Sequence, residues 1–429
     1  MALLLKGGLV FQNDSFVKAD VLIDEQKIQA IGNLNEVNHD NLKIYDITGK
    51  YVVPGLIDVH VHYRDPGLTY KEDVHTGSLA AAHGGYTTVC AMANVNPVPN
   101  NAELMRKMIT NNQANGVVHI KQYAPITKDL TSDDLIDYQE MQQLGICGFS
   151  NDGHGVQHAG TMLKAMQGIK KTHLPLAAHV EDDTLKFNGV MNAGENAEKL
   201  GLPGILDVCE TAQLARDLVL AKQTKVHYHV CHVSTKESVE LIRIAKQKGV
   251  NVTCEVAPHH LLLNDEMIVK DDAYYKMNPP LRTKADQAAL VGGLLDGTID
   301  LIATDHAPHA DHEKYCGMNA AAFGITGSET AFATLYTKYV KNGVFSLQQL
   351  IKWMSIAPAK IFNFKDAGML KVGDVADMAI FDLDTQFKFK DEDYLSKGKN
   401  TPFTNQELYG KTVMTLVNGK IAYYCKGEN

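Results

Sequence analysis

The stretch "GLIDVHVHYRDPG" at residues 55–67 joins an apolar segment to a dense group of polar side chains. Residues 55–62 are predicted to form a buried β-strand, and the period of two along a strand places His60 and His62 on the same face. Two imidazoles at the end of a buried strand need polar partners opposite them. Those partners must come from the strands that follow in the chain.

Seven further strand-like segments follow, and helical patterns fill the gaps between them. This alternation is typical of parallel βα units and predicts an α/β fold, a (β/α)8 TIM-type barrel over residues 54–364. An open doubly wound sheet is the alternative, but no Gly-x-Gly-x-x-Gly follows the first strand and no P-loop sequence occurs. The predicted strands after the first are 87–93, 119–126, 146–152, 174–182, 226–234, 250–260 and 299–309.

Both ends of the chain have a different pattern, with short strand-like runs separated by Asn, Asp and Gly. The dipeptide Asn418-Gly419 lies between two such runs and predicts a β-hairpin turn. We therefore predict that residues 1–53 and 365–429 together form a small β-sandwich domain beside the barrel.

Composition limits the classes of partner. The chain has 41 Lys and Arg against 50 Asp and Glu, a formal net charge of -9, so neither a nucleic-acid nor a membrane partner is expected. The seven cysteines are odd in number and dispersed, which predicts reduced thiols in a cytoplasmic protein. The start "MALLLKGGLV" lacks a basic region before its short apolar run, so no signal peptide or membrane span is predicted.

Imidazole and carboxylate side chains recur at the C-terminal ends of five predicted strands, where the active site of such a barrel forms. Each of them alone could be a satisfied core histidine or a loop cap. Buried together without partners they would carry a large desolvation cost, which metal binding removes. These candidate metal ligands are His60, His62, Asp152, His179, His232 and Asp305.

The donor set predicts a pair of metal ions. Neutral imidazole and carboxylate suit Zn²⁺, although Mn, Co and Fe use the same ligand types. Six ligands are too many for one tetrahedral zinc, so we predict about two ions per chain with Asp152 as the bridging ligand. Such a pair can hold a hydroxide and polarise a carbonyl, which predicts hydrolysis. The other ligands divide into His60, His62 and Asp305 at one ion and His179 and His232 at the second.

Four motifs carry a family resemblance: "VVPGLIDVHVHYRDPG" (52–67), "FSNDG" (149–153), "MNPPLR" (277–282) and "IATDHAPH" (302–309). The chain resembles the amidohydrolase superfamily and, within it, the dihydroorotases of the bacterial class I type. The resemblance implies reversible cyclisation of N-carbamoyl-L-aspartate to L-dihydroorotate plus water in de novo pyrimidine biosynthesis. It also implies a binuclear metal-hydroxide mechanism in which Asp305 is the general base and acid.

An anionic small-molecule substrate is expected, because Arg64 offers a planar fork that can bind a carboxylate bidentately. The family pattern is less regular near Asn94, where "MANVNP" replaces the usual "MPNT", and Asn94 and Asn278 could also be turn residues. The substrate contacts that the resemblance implies, besides Arg64, are His62, Asn94, Asn278, His309, Phe323 and Gly324.

Several alternatives stay open on the sequence alone. Lys128 could replace Asp152 as the bridge if it were carboxylated. Another cyclic amidohydrolase, of hydantoinase, dihydropyrimidinase or allantoinase type, would share the fold, but Arg64 with Asn278 favours an anionic substrate. A catalytically silent scaffold is disfavoured because all six ligands are retained. The segment 308–324 is polar and rich in small residues, as a lid would be, and family analogy suggests a homodimer.

Overall fold

The computed structural model describes residues 2–34 and 41–425. Eight strands between Leu56 and Ile302 lie side by side in chain order, each parallel to the next. Val61 forms a parallel bridge to His306, which joins the first strand to the chain after the last. The predicted (β/α)8 barrel is confirmed. The barrel consists of β6–β10 and β13–β15. The strands from the start of the chain to the last barrel strand are β1 (Leu3–Gln12), β2 (Ser15–Asp24), β3 (Lys27–Gly32), β4 (Lys43–Asp46), β5 (Tyr51–Pro54), β6 (Leu56–Val61), β7 (Tyr86–Ala91), β8 (His119–Ala124), β9 (Gly148–Phe149), β10 (Leu176–Ala178), the loop pair β11 (Met191–Asn192) and β12 (Gly204–Ile205), β13 (Tyr228–Val230), β14 (Val252–Val256) and β15 (Leu301–Ile302).

Helices cover the outside of the barrel, and several begin at side chains that cap the first turn. Asp73 and Thr235 each accept a hydrogen bond from a backbone N–H in the first turn of the helix that follows. In the described part of the chain, no helix is long and apolar enough to span a membrane. The helices are α1 (Val74–His83), α2 (Ala102–Asn115), α3 (Tyr138–Gln142), α4 (Ala159–Lys170), α5 (Glu195–Leu200), α6 (Val208–Thr224), α7 (Lys236–Gln247), α8 (Pro258–Leu262), α9 (Lys284–Asp296), α10 (Asp311–Lys314), α11 (Gly317–Ala320), α12 (Ala331–Leu335), α13 (Leu347–Ile351) and α14 (Ala357–Ile361).

The barrel strands are buried on both faces, as parallel strands between helices and a filled interior must be. All six residues of β6 and all six of β7 are buried. One apolar cluster, which includes Cys90, Tyr123, Cys231 and Leu301, packs against α14 and the residues that follow it.

The two ends of the chain build one hydrogen-bonded sheet. Strand β16 (Met378–Asp382) runs antiparallel to β5 and thereby joins the C-terminal strands to the N-terminal ones. Strand β1 pairs with β4 through Leu3–Lys6 and with β5 through Leu9 and Val10, so the sheet branches and encloses its own core. Residues 1, 35–40 and 426–429 of the predicted domain lie outside the described residues. The remaining strands are β16 (Met378–Asp382), β17 (Phe387–Lys388), β18 (Glu407–Leu408), β19 (Lys411–Val417) and β20 (Lys420–Tyr424).

The hairpin between β19 and β20 has the turn that its sequence predicts. Asn418 and Gly419 have φ angles of 51° and 67°, and Val417 pairs with Lys420 across the turn. Two consecutive positive φ angles define a type I′ turn, which matches the twist of the strands that it connects.

Candidate metal centre and active site

The six predicted metal ligands lie together at the carboxyl ends of the barrel strands, and all of them are buried. They follow or end strands β6, β9, β10, β13 and β15. Because neighbouring parallel strands end at the same rim, residues far apart in sequence meet in one cup. The residues in this cup are His60, His62, Asp152, His179, His232 and Asp305.

The first group of potential ligands comprises His60, His62, Asp152 and Asp305, whose ligand atoms all lie within 4.8 Å of one another. Asp305 Oδ1 is 3.1 Å from His62 Nε2 and 3.5 Å from His60 Nε2. Asp152 Oδ1 is 3.3 Å from His60 Nε2, and Asp152 Oδ2 is 3.2 Å from His62 Nε2. The Nε2 atoms of two imidazoles thus face the oxygens of two carboxylates at distances of 3.1 to 3.5 Å.

The second group comprises Asp152, His179 and His232. Asp152 Oδ1 lies 3.3 Å from His232 Nε2 and 3.8 Å from His179 Nδ1. The two imidazoles are in contact, since His179 Nδ1 is 3.0 Å from His232 Nε2. Asp152 therefore belongs to both groups, which is the position that a shared carboxylate ligand must occupy.

The chemistry of these side chains fits divalent cations. His60 Nε2 is buried and makes no hydrogen bond within the described part of the chain, although it faces both carboxylates. Burial alone would raise the pKa of Asp152 and of Asp305, but the neighbouring histidines hold both pKa values below the usual range. Two buried carboxylates and an imidazole nitrogen without a partner are satisfied together when they bind metal.

Three residues in or beside the cup have a strained backbone conformation. Arg64, His232 and Asp305 have φ angles of 59°, 33° and 49°. A residue other than glycine in this region costs about 1–3 kcal/mol and persists only where its surroundings fix it. The carboxylate of Asp58 provides part of that support, because it accepts hydrogen bonds from the backbone N–H and the hydroxyl of Thr304.

Glu255 on β14 is a functional residue that the sequence analysis missed. Its Oε1 is 2.6 Å from His60 Nδ1, and its Oε2 is 3.0 Å from His229 Nε2. Burial would raise its pKa, but the charge of His60 and the hydrogen bonds from His229 and His60 lower it to about 2. A carboxylate there makes His60 donate from Nδ1, so the Nε2 lone pair points into the cup. The available signal was an acidic residue inside the apolar run "VTCEV".

The Glu255→Gln variant should bind metal more weakly. The neutral amide no longer orients and polarises His60, and loss of such a partner behind a ligand costs roughly 10- to 100-fold in metal affinity. Competition with a coloured chelator measures that affinity directly. The matched control is Glu103→Gln, because Glu103 is exposed on α2. Equal affinity in Glu255→Gln and the native protein would show that Glu255 does not support His60.

Arg64 and His309, two of the predicted substrate contacts, lie next to each other. Arg64 Nη2 is 3.3 Å from His309 Nε2, and that nitrogen is 2.8 Å from the carbonyl oxygen of Phe323. Burial, together with the charges of Arg64 and Lys71, lowers the pKa of His309 to about 2. His309 is therefore neutral, and Arg64 supplies the positive charge beside the cup.

The predicted asparagine contacts approach the cup from two sides. Asn94 Oδ1 is 2.9 Å from His62 Nδ1, and its amide donates to the carbonyl oxygen of Asp152 at 3.3 Å. Asn278 Nδ2 is 2.6 Å from Glu181 Oε2 and 3.4 Å from His179 Nε2. The structure thus brings both asparagines beside histidines that are candidate metal ligands.

Lys128, the alternative bridging ligand, and three further histidines lie outside the cup. The Lys128 side chain is 57% exposed and lies 4.0 Å from the Asp134 carboxylate, so Asp152 and not Lys128 is at the shared position. His259 and His260 are buried in α8 behind the cup, where His260 Nε2 contacts the carbonyl oxygen of Pro279. His158 is exposed and pairs with Asp133.

In this (β/α)8 barrel two histidines stand at the end of the first strand, further histidines follow the fifth and sixth strands, and an aspartate follows the last strand. This combination defines a metal-dependent hydrolase of the amidohydrolase type. Solved structures agree with this class. The L-hydantoinase (dihydropyrimidinase) of Arthrobacter aurescens matches with a TM-score of 0.87 and 25% identity, covering 99% of this chain and 96% of that one. The dihydropyrimidinase of Brevibacillus agri has the same fold, with a TM-score of 0.86 and 24% identity over 98% of this chain and 95% of that one.

Sequence comparison is more specific. The chain is 61% identical over 424 residues to a dihydroorotase of Ligilactobacillus salivarius, which covers 99% of both chains. It is 60% identical over 429 residues to a dihydroorotase of Lactobacillus helveticus, which covers all of both chains. A model of the dihydro-orotase-like family matches residues 49–238. The chain belongs to the dihydroorotase family.

Proposed function

We propose that the protein interconverts N-carbamoyl-L-aspartate and L-dihydroorotate plus water, a step of pyrimidine biosynthesis. The proposal rests on the position of Arg64 and His309, which lie beside Asp305 and the cup. An amide carbonyl can reach the cup while the substrate carboxylate meets the guanidinium. Full-length identity of about 60% to curated dihydroorotases supports the same substrate.

Substrate recognition is assigned to groups that surround the cup. The Arg64 guanidinium is the fork for the substrate carboxylate, and neutral His309 adds a hydrogen-bonding nitrogen. Asn94, Asn278 and the backbone of Phe323 and Gly324 face the remaining amide and carboxylate oxygens. A hydantoin lacks this carboxylate, so it would leave the Arg64 charge buried and unpaired.

The proton steps belong to Asp305. Bound divalent cations would acidify the attacking water and polarise the ring carbonyl. In the hydrolytic direction Asp305 takes a proton from the water as its oxygen bonds to the carbonyl carbon. It then delivers that proton to the ring nitrogen as the C–N bond breaks. In the cyclisation direction Asp305 takes a proton from the carbamoyl nitrogen, which attacks the carboxylate carbon. Asp305 returns that proton to the departing carboxylate oxygen as the C–O bond breaks, and a second proton, from solvent, completes the water that leaves. His62, 3.1 Å from Asp305 Oδ1, orients the carboxylate for both steps.

The metal, the type of dihydroorotase, the oligomeric state, the location and the partners are also part of the proposal. Zn²⁺, about two ions per chain, is the proposed metal because imidazole and carboxylate suit it. The motifs of the sequence support the bacterial class I type, and family analogy supports a homodimer. Seven cysteines without disulfides support a cytoplasmic location. The net charge of -9 offers no electrostatic attraction for nucleic acid or an anionic membrane, so no such partner is proposed. A small anionic substrate is proposed because the local charge of Arg64 can still capture an anion.

A substrate panel tests the proposal. Metal-replete protein is assayed with N-carbamoyl-L-aspartate, L-dihydroorotate, hydantoin, dihydrouracil and allantoin. We expect turnover of the first two and at most weak turnover of the other three, because only the first two carry the carboxylate that pairs with Arg64. Good activity on hydantoin without turnover of N-carbamoyl-L-aspartate would assign the protein to the hydantoinase type instead. No turnover of any compound would point to a silent homologue.

A further inference from the structure

The segment 396–400, between β17 and β18, lies against the rim of the barrel. Ser396 donates its hydroxyl hydrogen bond to the carboxylate of Glu72, in the loop that follows β6. Lys397 Nζ is 2.6 Å from Asp73 Oδ2 and 2.7 Å from the carbonyl oxygen of Thr69. A part of the chain far from the barrel strands in sequence is thus attached to the loops around the cup.

Asn400 at the end of this segment makes the most extensive contacts. Its Oδ1 accepts a hydrogen bond from the backbone N–H of His309 at 2.9 Å. Its Nδ2 donates to the carbonyl oxygens of Ala307 and Gly324, each at 3.1 Å. Its own carbonyl oxygen accepts from the backbone N–H of Thr326 at 3.1 Å. The side chain is only 2% exposed, and its oxygen and both hydrogens of its amide nitrogen have partners.

These contacts join the two segments that line the substrate side of the cup. One segment carries His309 and the other carries Phe323 and Gly324. Gly324 has a φ angle of 121°, and a Cβ there would come within 2.6 Å of the Ala307 side chain. The two backbones therefore meet closely, and the Asn400 amide fixes their relative position at that point.

The metal ligands are held by other contacts. The backbone N–H of His62 donates to the His306 carbonyl oxygen at 2.9 Å, within the barrel wall. Asp58 fixes Thr304, next to Asp305, from the first strand. Loss of the Asn400 contacts should accordingly loosen the substrate side of the cup and leave the metal side in place.

We infer that Asn400 is a positioning residue for substrate recognition, acting through the backbone of residues 307–309 and 324. This inference rests on the proposed function, because it assigns the substrate carboxylate to the region of Arg64 and His309. It places a specificity element in the C-terminal part of the chain, outside the barrel.

The test compares Asn400→Asp with the native protein. Aspartate keeps the shape and the acceptor for His309 N–H, but it puts a carboxylate oxygen against two carbonyl oxygens. The matched control is Asn405→Asp, the same change at an exposed position of the same loop. Asn400→Ser, which introduces no buried charge, is the second variant if the aspartate protein fails to fold.

We expect the KM for L-dihydroorotate to rise roughly 10- to 100-fold in the Asn400 variants, as for loss of a buried hydrogen-bonded partner. The kcat should stay within about threefold and the metal content should be native. The variants lose contacts that stabilise the bound substrate and the transition state equally, and nothing changes at the reacting atoms. A merely structural role would lower the folded fraction and metal content without this split. A KM within about twofold of native in a folded, metal-loaded variant would overturn the inference, as would a fall in kcat at unchanged KM.

Hydrogen exchange provides a readout that does not depend on activity. Peptides that cover residues 306–326 should exchange faster in the Asn400 variants than in the native protein or in Asn405→Asp. Absence of turnover in the native protein would overturn the proposed function. In that case unchanged exchange over 306–326 would separately overturn the role of Asn400 in holding these segments.

Discussion

Replacing Asp305 by asparagine is expected to lower kcat for L-dihydroorotate roughly 100- to 10,000-fold, the range that loss of a general acid–base group produces. The asparagine oxygen can still face His62, and the amide has nearly the same volume, so the barrel should remain folded. The amide cannot accept the proton of the attacking water, however, and cannot return it to the ring nitrogen. Steady-state assays in both directions should show the loss, because the same group acts in both.

The matched control for this change is Asp366→Asn, at an exposed position after α14. It should keep native turnover. Circular dichroism and a thermal melt should show that the Asp305 variant is folded. Near-native kcat in folded Asp305→Asn would rule out Asp305 as the proton carrier.

The second large effect is expected for Asp152→Asn. Asp152 faces His60 and His232 through Oδ1 and His62 through Oδ2, so both oxygens are used. An amide offers only one oxygen and turns two N–H donors toward imidazole nitrogens or a cation. The metal content should fall from about two ions to about one or fewer. Affinity for the second ion should fall by more than about 100-fold, the upper end of the cost of losing a partner behind a ligand.

Elemental analysis of the desalted variant checks the metal content, and an assay with increasing added Zn²⁺ checks whether activity returns. Asp134→Asn, at an exposed site, is the control and should bind metal as the native protein does. If Asp152→Asn retains two ions and native turnover, the bridging role is wrong and another ligand must join the two groups.

Much of the fold follows from local patterns. The eight predicted barrel strands contain the eight observed ones almost completely, because short apolar runs between helical segments leave few other arrangements. The six residues of the cup could be named because a parallel barrel brings every strand end to one rim. Their identity as metal ligands follows from the cost of burying unpaired imidazoles and carboxylates.

Other features depend on tertiary contacts that no local pattern contains. Glu255 is within hydrogen-bonding distance of His60 only because the barrel brings these side chains of β6 and β14 together. Asn400 lies in an irregular loop whose sequence, "SKGKN", resembles any surface turn. The positive φ angles of His232 and Asp305 likewise arise where the surroundings outweigh local preference.

Six buried side chains are proposed to hold two cations, with Asp152 between them. This binding is tested most directly by adding Zn²⁺ in measured equivalents to chelator-treated protein, with bound metal and turnover of L-dihydroorotate recorded at each step. We expect binding and activity both to saturate at about two equivalents per chain. Full activity at one equivalent, with no second ion bound, would contradict it.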